Sequence, residues 1–504
     1  MLLQAIQLNK FIFAKNFQEL TDNLLMTELS AFKILIEASN KWPNSPAIYD
    51  EYGQMSFKEL YEASNELCVK LRNEDIGPGM AIGVMSKNNR QFIIAIFGVI
   101  GTGATVMPMS HQLKNAEVNE IISEAGLHAI MDEYSGIVPL EDMHTIKTKD
   151  TNFRIGRILK NKNKKFAPHV ENPAFMRFTS GTTGKSKGVI ISHHSAIERI
   201  DAANRLLKLG PGDVVIWVLP IAYHFVVSIL LYVKYGVAIA IAKDFLPQNI
   251  VSITAKYKGT LLYASPMQIR LLASIKEKAS LDSLKMVIST STGISVDVCN
   301  QFKEKYNIPV SQAYGIIEIG LPIINHSKSI DNPEAVGYAL PDYDVQIMDD
   351  NNNPLPAGKV GHLAIKGPGM FNAYLKPARL REEIVQNGYF YTADFAFKSE
   401  DGLITVEGRK KSVINVSGNK VFPEEVEGVL ETIPEIKLAR ISGTPHPLMG
   451  QIVQAELVLE DGAELEVEEV LTYCRKRLST FKVPQRVLIV DSLPLTKTGK
   501  VKRF

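Results

Sequence analysis

Cysteine is scarce in these 504 residues, where Cys68, Cys299 and Cys474 stand far apart. That spacing excludes a zinc cluster and a disulfide framework, and it fits a reducing compartment in which the thiols are structural. An excess of either charge is also missing, since the net charge is +2 with 22% charged residues. No overall field would draw the chain to nucleic acid or an acidic membrane, so partners have to be argued from sites. An export signal is not expected, because Met1–Lys15 is apolar only in patches and carries Lys10 and Lys15. Two uncharged stretches, Phe92–Ser110 and Val214–Val233, are about as long as a bilayer requires. The first contains Gly98, Gly101, Gly103 and Pro108, and the second Pro220 and His224. Such breakers suit helix-to-strand transitions in a buried core, not integral membrane segments. No internal repeat or low-complexity tract is visible.

What is present is apolar content, 45% of a chain too long for one hydrophobic core, so two or more domains are expected. From Ala31 to Asn73 apolar residues recur at helical spacing on either side of an extended piece, Pro46–Tyr49, and similar alternation continues to about Asn325. Alternating β and α segments imply largely parallel sheets covered by helices, an α/β class. Between Arg154 and Lys165 six basic residues crowd a stretch with few apolar ones, which reads as a solvated connector before a docking patch. After Gly337 the pattern changes to short strands and turns, including Asp349–Pro354 and Pro356–Gly358, and helices return only past Pro423.

The densest chemical signal is Phe178–Ser192, which packs three glycines, six hydroxyl-bearing residues and two lysines into fifteen positions. Glycine lets backbone N–H groups curl around oxyanions, hydroxyls add neutral donors, and Lys185 and Lys187 supply charge, so the run suits a polyphosphate. Gly184-Lys185-Ser186 also matches the end of a P-loop, which would be followed at once by a helix. The first glycine of that pattern would fall on Thr179, however, and Lys187-Gly-Val-Ile-Ile-Ser192 is a β-branched series that prefers a strand. A phosphate loop between two strands is therefore expected.

This loop resembles the phosphate-binding signature of the adenylate-forming superfamily: acyl-CoA and aryl-CoA synthetases, luciferases and peptide-synthetase adenylation domains. Five further segments follow in the family's order. Tyr314-Gly-Ile-Ile-Glu318 is similar to its adenine-and-magnesium segment, Tyr391-Thr-Ala-Asp394 to its ribose segment, and Gly408-Arg-Lys-Lys411 to its hinge. Ser417–Glu427 and the closing Pro494–Lys500 complete the series. The resemblance implies a large N-terminal domain, residues 1–409, of two α/β subdomains plus a β-barrel at about 335–405. A small mobile α+β domain would follow at 410–504.

The same resemblance implies the chemistry. ATP and Mg2+ would bind with Thr179, Ser180, Gly181, Thr182, Thr183, Gly184, Lys185 and Lys187 around the phosphates, and Glu318 as magnesium ligand. Tyr314 would pack on adenine; Gly315, Thr292, Gly293 and Ile317 would also line the nucleotide site, Ile317 near the α-phosphate, while Asp394 and Arg409 would contact ribose or phosphate. Lys500 would reach the α-phosphate and the carboxylate as charge develops between them. In a second half-reaction the C-terminal lobe would swing about Lys411, remove Lys500 and present a thiol channel near Ser417 and Gly418. His224 corresponds to the gate of the acyl pocket, with Phe225, Tyr263, Ile316 and Gly320 nearby. The apolar flanks of His224 point to a hydrophobic acyl or aryl acid, because an amino acid's ammonium would want a pocket carboxylate.

The expected activity is a cytoplasmic carboxylic acid–CoA ligase that releases AMP and pyrophosphate. The alternatives are an enzyme loading an acyl carrier protein's phosphopantetheine arm, a homologue that only binds nucleotide or acyl ligand, and a phosphotransferase using the loop at Gly184. Three departures motivate the binding-only alternative. Ile317 stands where the family usually has Thr, removing a hydroxyl expected near the α-phosphate, Ala393 replaces a usual Gly, and Thr290–Ile294 adds side chains to a Gly-Gly-Ala-Pro-Leu segment. A lost neutral hydrogen bond is worth roughly 0.5–1.5 kcal/mol, and a left-handed Ala costs about 1–2 kcal/mol, so neither of the first two is disabling.

Overall fold

The computed structural model describes residues 30–504 apart from 114, 135, 137, 139, 141–142, 180–186, 277–278, 292, 410–411, 417–418, 447–449, 479, 496–500 and 502–504. The fold is α/β, and the chain divides into two compact units. The first runs to Tyr263 and takes in Ile316–Leu321 and Pro368–Ile384. The second comprises Ala264–Gly315, Pro322–Gly367 and Val385 onward.

In the first unit, Ala81–Ser86 and Thr105–Ser110 lie side by side in parallel, every residue of both strands buried. Burial on both faces is what their continuous apolar sequence demands. They form the middle of a nine-stranded sheet that ends in antiparallel pairs on either side. The helix Phe57–Asn73 starts at a capping box, Ser56 with Glu59, and buries Phe57, Leu60, Leu67 and Leu71 at helical spacing. A second sheet joins Pro46–Asp50, Ala238–Ile241, Val214–Trp217 and Leu261–Ala264 in parallel. Both uncharged stretches break as expected: Phe92–Ser110 becomes the helix Arg90–Gly101 and the strand Thr105–Ser110, and Val214–Val233 divides into a strand and short helical turns. Among the described residues no helix is long and apolar enough to cross a membrane. The basic stretch differs from expectation at its start. Arg154 and Arg157 belong to the strand Asn152–Arg157, with Ile155 buried and Arg154 paired to the buried Asp132, so only the lysines after Leu159 form a solvated connector.

In the second unit Met286–Ser289 pairs in parallel with Val310–Ile316. The stretch expected as a barrel forms an antiparallel four-stranded sheet in the order Asp344–Met348, Gly361–Lys366, Phe390–Lys398, Ile404–Arg409. Further on, the helices Pro423–Leu430 and Val467–Arg475 bury Val426, Leu430, Val470 and Cys474 in the core formed with Val453, Ala455 and Leu457 of a five-stranded sheet. All three cysteines are buried and none is in a disulfide.

Candidate active site

The strand Pro173–Thr179 and the strand Lys187–Ser192 pair antiparallel, with Phe178 opposite Gly188 and Thr179 opposite Lys187. The β-branched run after Ser186 is thus a strand, as its residues dictate, and not the helix of a P-loop. Ser180, Gly181, Thr182, Thr183, Gly184 and Lys185 lie outside the described residues, as do the side chains of Thr179 and Lys187.

In the same unit Glu318 is held from three directions. Arg199, fully buried, donates through Nη1 to the Ile317 carbonyl at 3.0 Å and through Nε to the Gly369 carbonyl at 2.9 Å. The Phe371 amide donates to the Glu318 carbonyl at 2.7 Å. Tyr374 donates its hydroxyl to Glu318 Oε1 at 3.1 Å, and burial together with the Glu318 charge keeps that phenol protonated far above neutral pH. Gly369 has a φ of +67°, and a Cβ there would lie 2.5 Å from the Arg199 backbone nitrogen, so no side chain fits. Among the described residues no group of three or more His, Cys, Asp or Glu could hold a metal ion. A single carboxylate such as Glu318 is the kind of protein ligand that magnesium takes beside substrate phosphates and water.

His224 closes a short helix, Ile221–His224, before a π-helical turn, Phe225–Ile229. Its ring meets Trp217 edge-on at 5.7 Å and Tyr263 at 6.1 Å, and Trp217 stacks on Tyr263 at 5.9 Å. Phe225 turns elsewhere, onto Phe97 and Phe175. Between that turn and the first unit's nine-stranded sheet lies a cavity of about 10 Å3, lined by Phe175, Arg177, Tyr223, Phe225 and Ile317 among others. Arg177 donates through Nη1 to the Tyr223 carbonyl at 2.8 Å and stacks over the Tyr223 ring at 4.8 Å. Its Nε is sealed from solvent and has no hydrogen-bond partner. Burial lowers the guanidinium pKa, opposed by Tyr223 and Glu318.

In the second unit Tyr314 donates its hydroxyl to Asp394 Oδ2 at 2.5 Å, and Asp394 is only 4% exposed. Asp394 faces Arg409 across the ladder of Phe390–Lys398 and Ile404–Arg409. Ala393 adopts the left-handed conformation with a φ of +64°, as expected where the family has Gly. Ser291 is also left-handed, at a φ of +84°. Ile294 N–H donates to Gln312 Oε1 at 3.4 Å, and a Cβ on Gly293 would meet nothing within 4 Å. Thr292, Lys411, Ser417, Gly418 and Lys500 lie outside the described residues, as does the Arg409 side chain.

Sequence reasoning missed Arg177, Arg199 and Tyr374. Arg177 left a signal, a charge inside the apolar strand Phe175-Met-Arg-Phe178, whereas Arg199 and Tyr374 look ordinary until the chain is folded.

Residues 35–375 match the family of AMP-binding enzymes, and residues 425–500 match the AMP-binding enzyme C-terminal domain. The chain is 25% identical over 515 residues to a long-chain-fatty-acid–CoA ligase of Escherichia coli O6:H1, covering 92% of this chain and 91% of the relative. It is equally 25% identical, over 483 residues, to the fatty acid–[acyl-carrier-protein] ligase ScoC of Streptomyces coeruleorubidus, covering 92% of each. Among solved structures, o-succinylbenzoate CoA synthetase MenE of Bacillus subtilis, in complex with its acyl-adenylate intermediate, superposes with a TM-score of 0.82 at 22% identity, over 95% of this chain and 98% of that one. With the profile of one family spanning most of its length and that family's C-terminal domain following in order, the chain belongs to the AMP-binding enzymes of the adenylate-forming superfamily.

Proposed function

We propose that this protein is an ATP-dependent acid–thiol ligase that activates a hydrophobic acyl or aryl acid and transfers it to coenzyme A. What carries the reading is the presence in one chain of both the AMP-binding region and its C-terminal partner, since the two half-reactions need both. In the first, a carboxylate oxygen bonds to the α-phosphorus of ATP and pyrophosphate leaves. In the second, a thiolate attacks the acyl carbonyl and AMP leaves. Each step joins groups that repel or must be oriented, so fixed charge and positioning do the catalytic work.

In this reading Tyr314 packs on adenine and Asp394, already held by the Tyr314 hydroxyl, accepts from the ribose. Thr179–Lys187 and Arg409 gather the phosphates, and Lys500 serves the developing charge. Glu318 holds magnesium, which when bound neutralises phosphate charge; Tyr374 and Arg199 keep that carboxylate and its backbone in place. His224, against Trp217 and Tyr263, gates the acyl side, and a C-terminal lobe beginning at residue 410 swings about Lys411 to admit the thiol at Ser417 and Gly418.

The test is exchange of labelled pyrophosphate into ATP across a panel of straight-chain and aromatic carboxylic acids. Exchange should appear only with an acid present and should fall about 10²–10³-fold in Lys500→Ala. Acid-independent exchange, or ADP in place of AMP, would refute the reading. Thioester on coenzyme A, read by mass, is expected; product found only on a carrier protein would move the acceptor to the class of the ScoC relative.

A further inference from the structure

Among the described residues Arg177 is a buried charged group whose placement packing leaves unexplained. It projects from the strand Pro173–Thr179 on the same side as Phe175, two residues earlier, into a cavity otherwise lined by apolar and aromatic side chains. One guanidinium nitrogen is used, on a neutral carbonyl, while Nε is buried and unpartnered. A buried donor left without an acceptor favours whatever oxygen fills the place. The cavity that Arg177 lines, about 10 Å3, has room for a water-sized group. Two neighbours say what kind of oxygen belongs there. Ile317, the residue that removes the hydroxyl expected near the α-phosphate, lines the same cavity, and Glu318 is near enough for its charge to act on Arg177. The wall bearing Tyr223, Phe225 and Val226 runs into a π-helical turn, a geometry that recurs at functional sites.

We propose that Arg177 is an oxyanion-holding residue of the adenylation site, giving the centre where carboxylate and α-phosphorus meet the donor that Ile317 cannot. The proposal rests on the ligase reading. Arg177 exchanges no proton in the step: a carboxylate oxygen bonds to phosphorus, the bond to pyrophosphate breaks, and the guanidinium meets the oxygen on which charge accumulates. The oxygen belongs either to the α-phosphate or to the acid's carboxylate. The alternative is a structural pin on the Tyr223 carbonyl, with a water on Nε.

The experiment uses the full-length protein, the best acid of the exchange panel, and the variants Arg177→Met, Arg177→Lys and Arg177→Met with Ile317→Thr. Arg177→Met should lower the exchange kcat by about 10²–10³. Restoring a hydroxyl at 317 in that background should recover up to about tenfold, which a structural pin would not do. Calorimetric titration with AMP separates the two sources. A fall in AMP affinity of about tenfold or more assigns the oxygen to the α-phosphate, and unchanged AMP affinity with a raised KM for the acid assigns it to the carboxylate. Arg177→Met with wild-type kcat, both KM values and AMP affinity would overturn the proposal, as would a loss that tracks the unfolded fraction and is not rescued by threonine. If Arg177→Met does not fold, Arg177→Lys decides: it keeps the charge without the Nε donor and should still lose about tenfold in kcat. A wild type inert toward every acid overturns the ligase reading, and this proposal with it; an active wild type with indifferent Arg177 variants overturns this proposal alone.

Discussion

Replacing Tyr314 by Phe keeps the ring proposed to pack on adenine and deletes one oxygen. That oxygen donates at 2.5 Å to the carboxylate of Asp394, a side chain only 4% exposed. A hydrogen bond to a charged group contributes about 1.5–3 kcal/mol, more than a neutral one, and solvent cannot replace the donor where the acceptor is this buried. We therefore expect Tyr314→Phe to lower unfolding stability by about 2 kcal/mol in urea titrations. A second consequence follows if Asp394 is the ribose acceptor. Without the phenol to fix it, the carboxylate loses its orientation, and the KM for ATP should rise about tenfold while the KM for the acid is unchanged. The assay is pyrophosphate exchange with ATP and with 2′,3′-dideoxy-ATP, each for wild type, Tyr314→Phe and Asp394→Asn. The wild type should prefer ATP strongly, and both variants should discriminate less. A variant with the wild-type urea midpoint and undiminished preference for the ribose hydroxyls would refute the reasoning at both steps.

Tyr374→Phe removes the hydroxyl on Glu318 Oε1, so with Glu318 as the proposed magnesium ligand the magnesium concentration giving half-maximal exchange should rise about tenfold. Ala393→Gly relieves a φ of +64° and should raise stability by up to about 1 kcal/mol in thermal or urea unfolding, net of the extra freedom of unfolded glycine. His193 is buried, which depresses its pKa from 6.5 to about 4, and its Nδ1 accepts the Ala31 amide at 3.1 Å. Because the unfolded imidazole binds its proton first, the contribution is complete above pH 6.5 and is lost as pH falls toward 4. The loss is about 3 kcal/mol, and a His193→Asn variant, whose amide oxygen can still accept, should lack this part of the pH dependence of stability.

The parts of the fold that were legible in the sequence are those fixed by neighbouring residues. The β-branched run Gly188–Ile191 could only be a strand, and that distinguished this phosphate loop from a P-loop. Glycine and proline spacing in Phe92–Ser110 showed where a helix had to give way to a strand. The left-handed position at Ala393 was readable only through the resemblance, because the family usually has Gly there. Pairings across long sequence separation were not readable. Arg199 meets Gly369 across 170 positions and Tyr374 meets Glu318 across 56, and no local rule says which arginine or tyrosine will arrive.

That division has a consequence for the chemistry. In the ligase reading the motif residues supply charge, while the orientation of the Glu318 carboxylate depends on residues outside every motif. Its backbone is fixed through Ile317 by Arg199 and through Phe371, and its side chain through Tyr374, while Arg199 in turn packs on a glycine that admits no Cβ. Catalysis by preorganised charge needs donors and acceptors set before the substrate arrives, because reorientation during reaction would consume the stabilisation they provide. A motif with the right letters on a looser scaffold would bind nucleotide and turn over slowly. Ile317 sharpens the point. Losing a hydroxyl from the motif is tolerable if another rigidly held donor faces the same oxygen, and Arg177, stacked on Tyr223 and tied to its carbonyl, is rigid enough to be that donor.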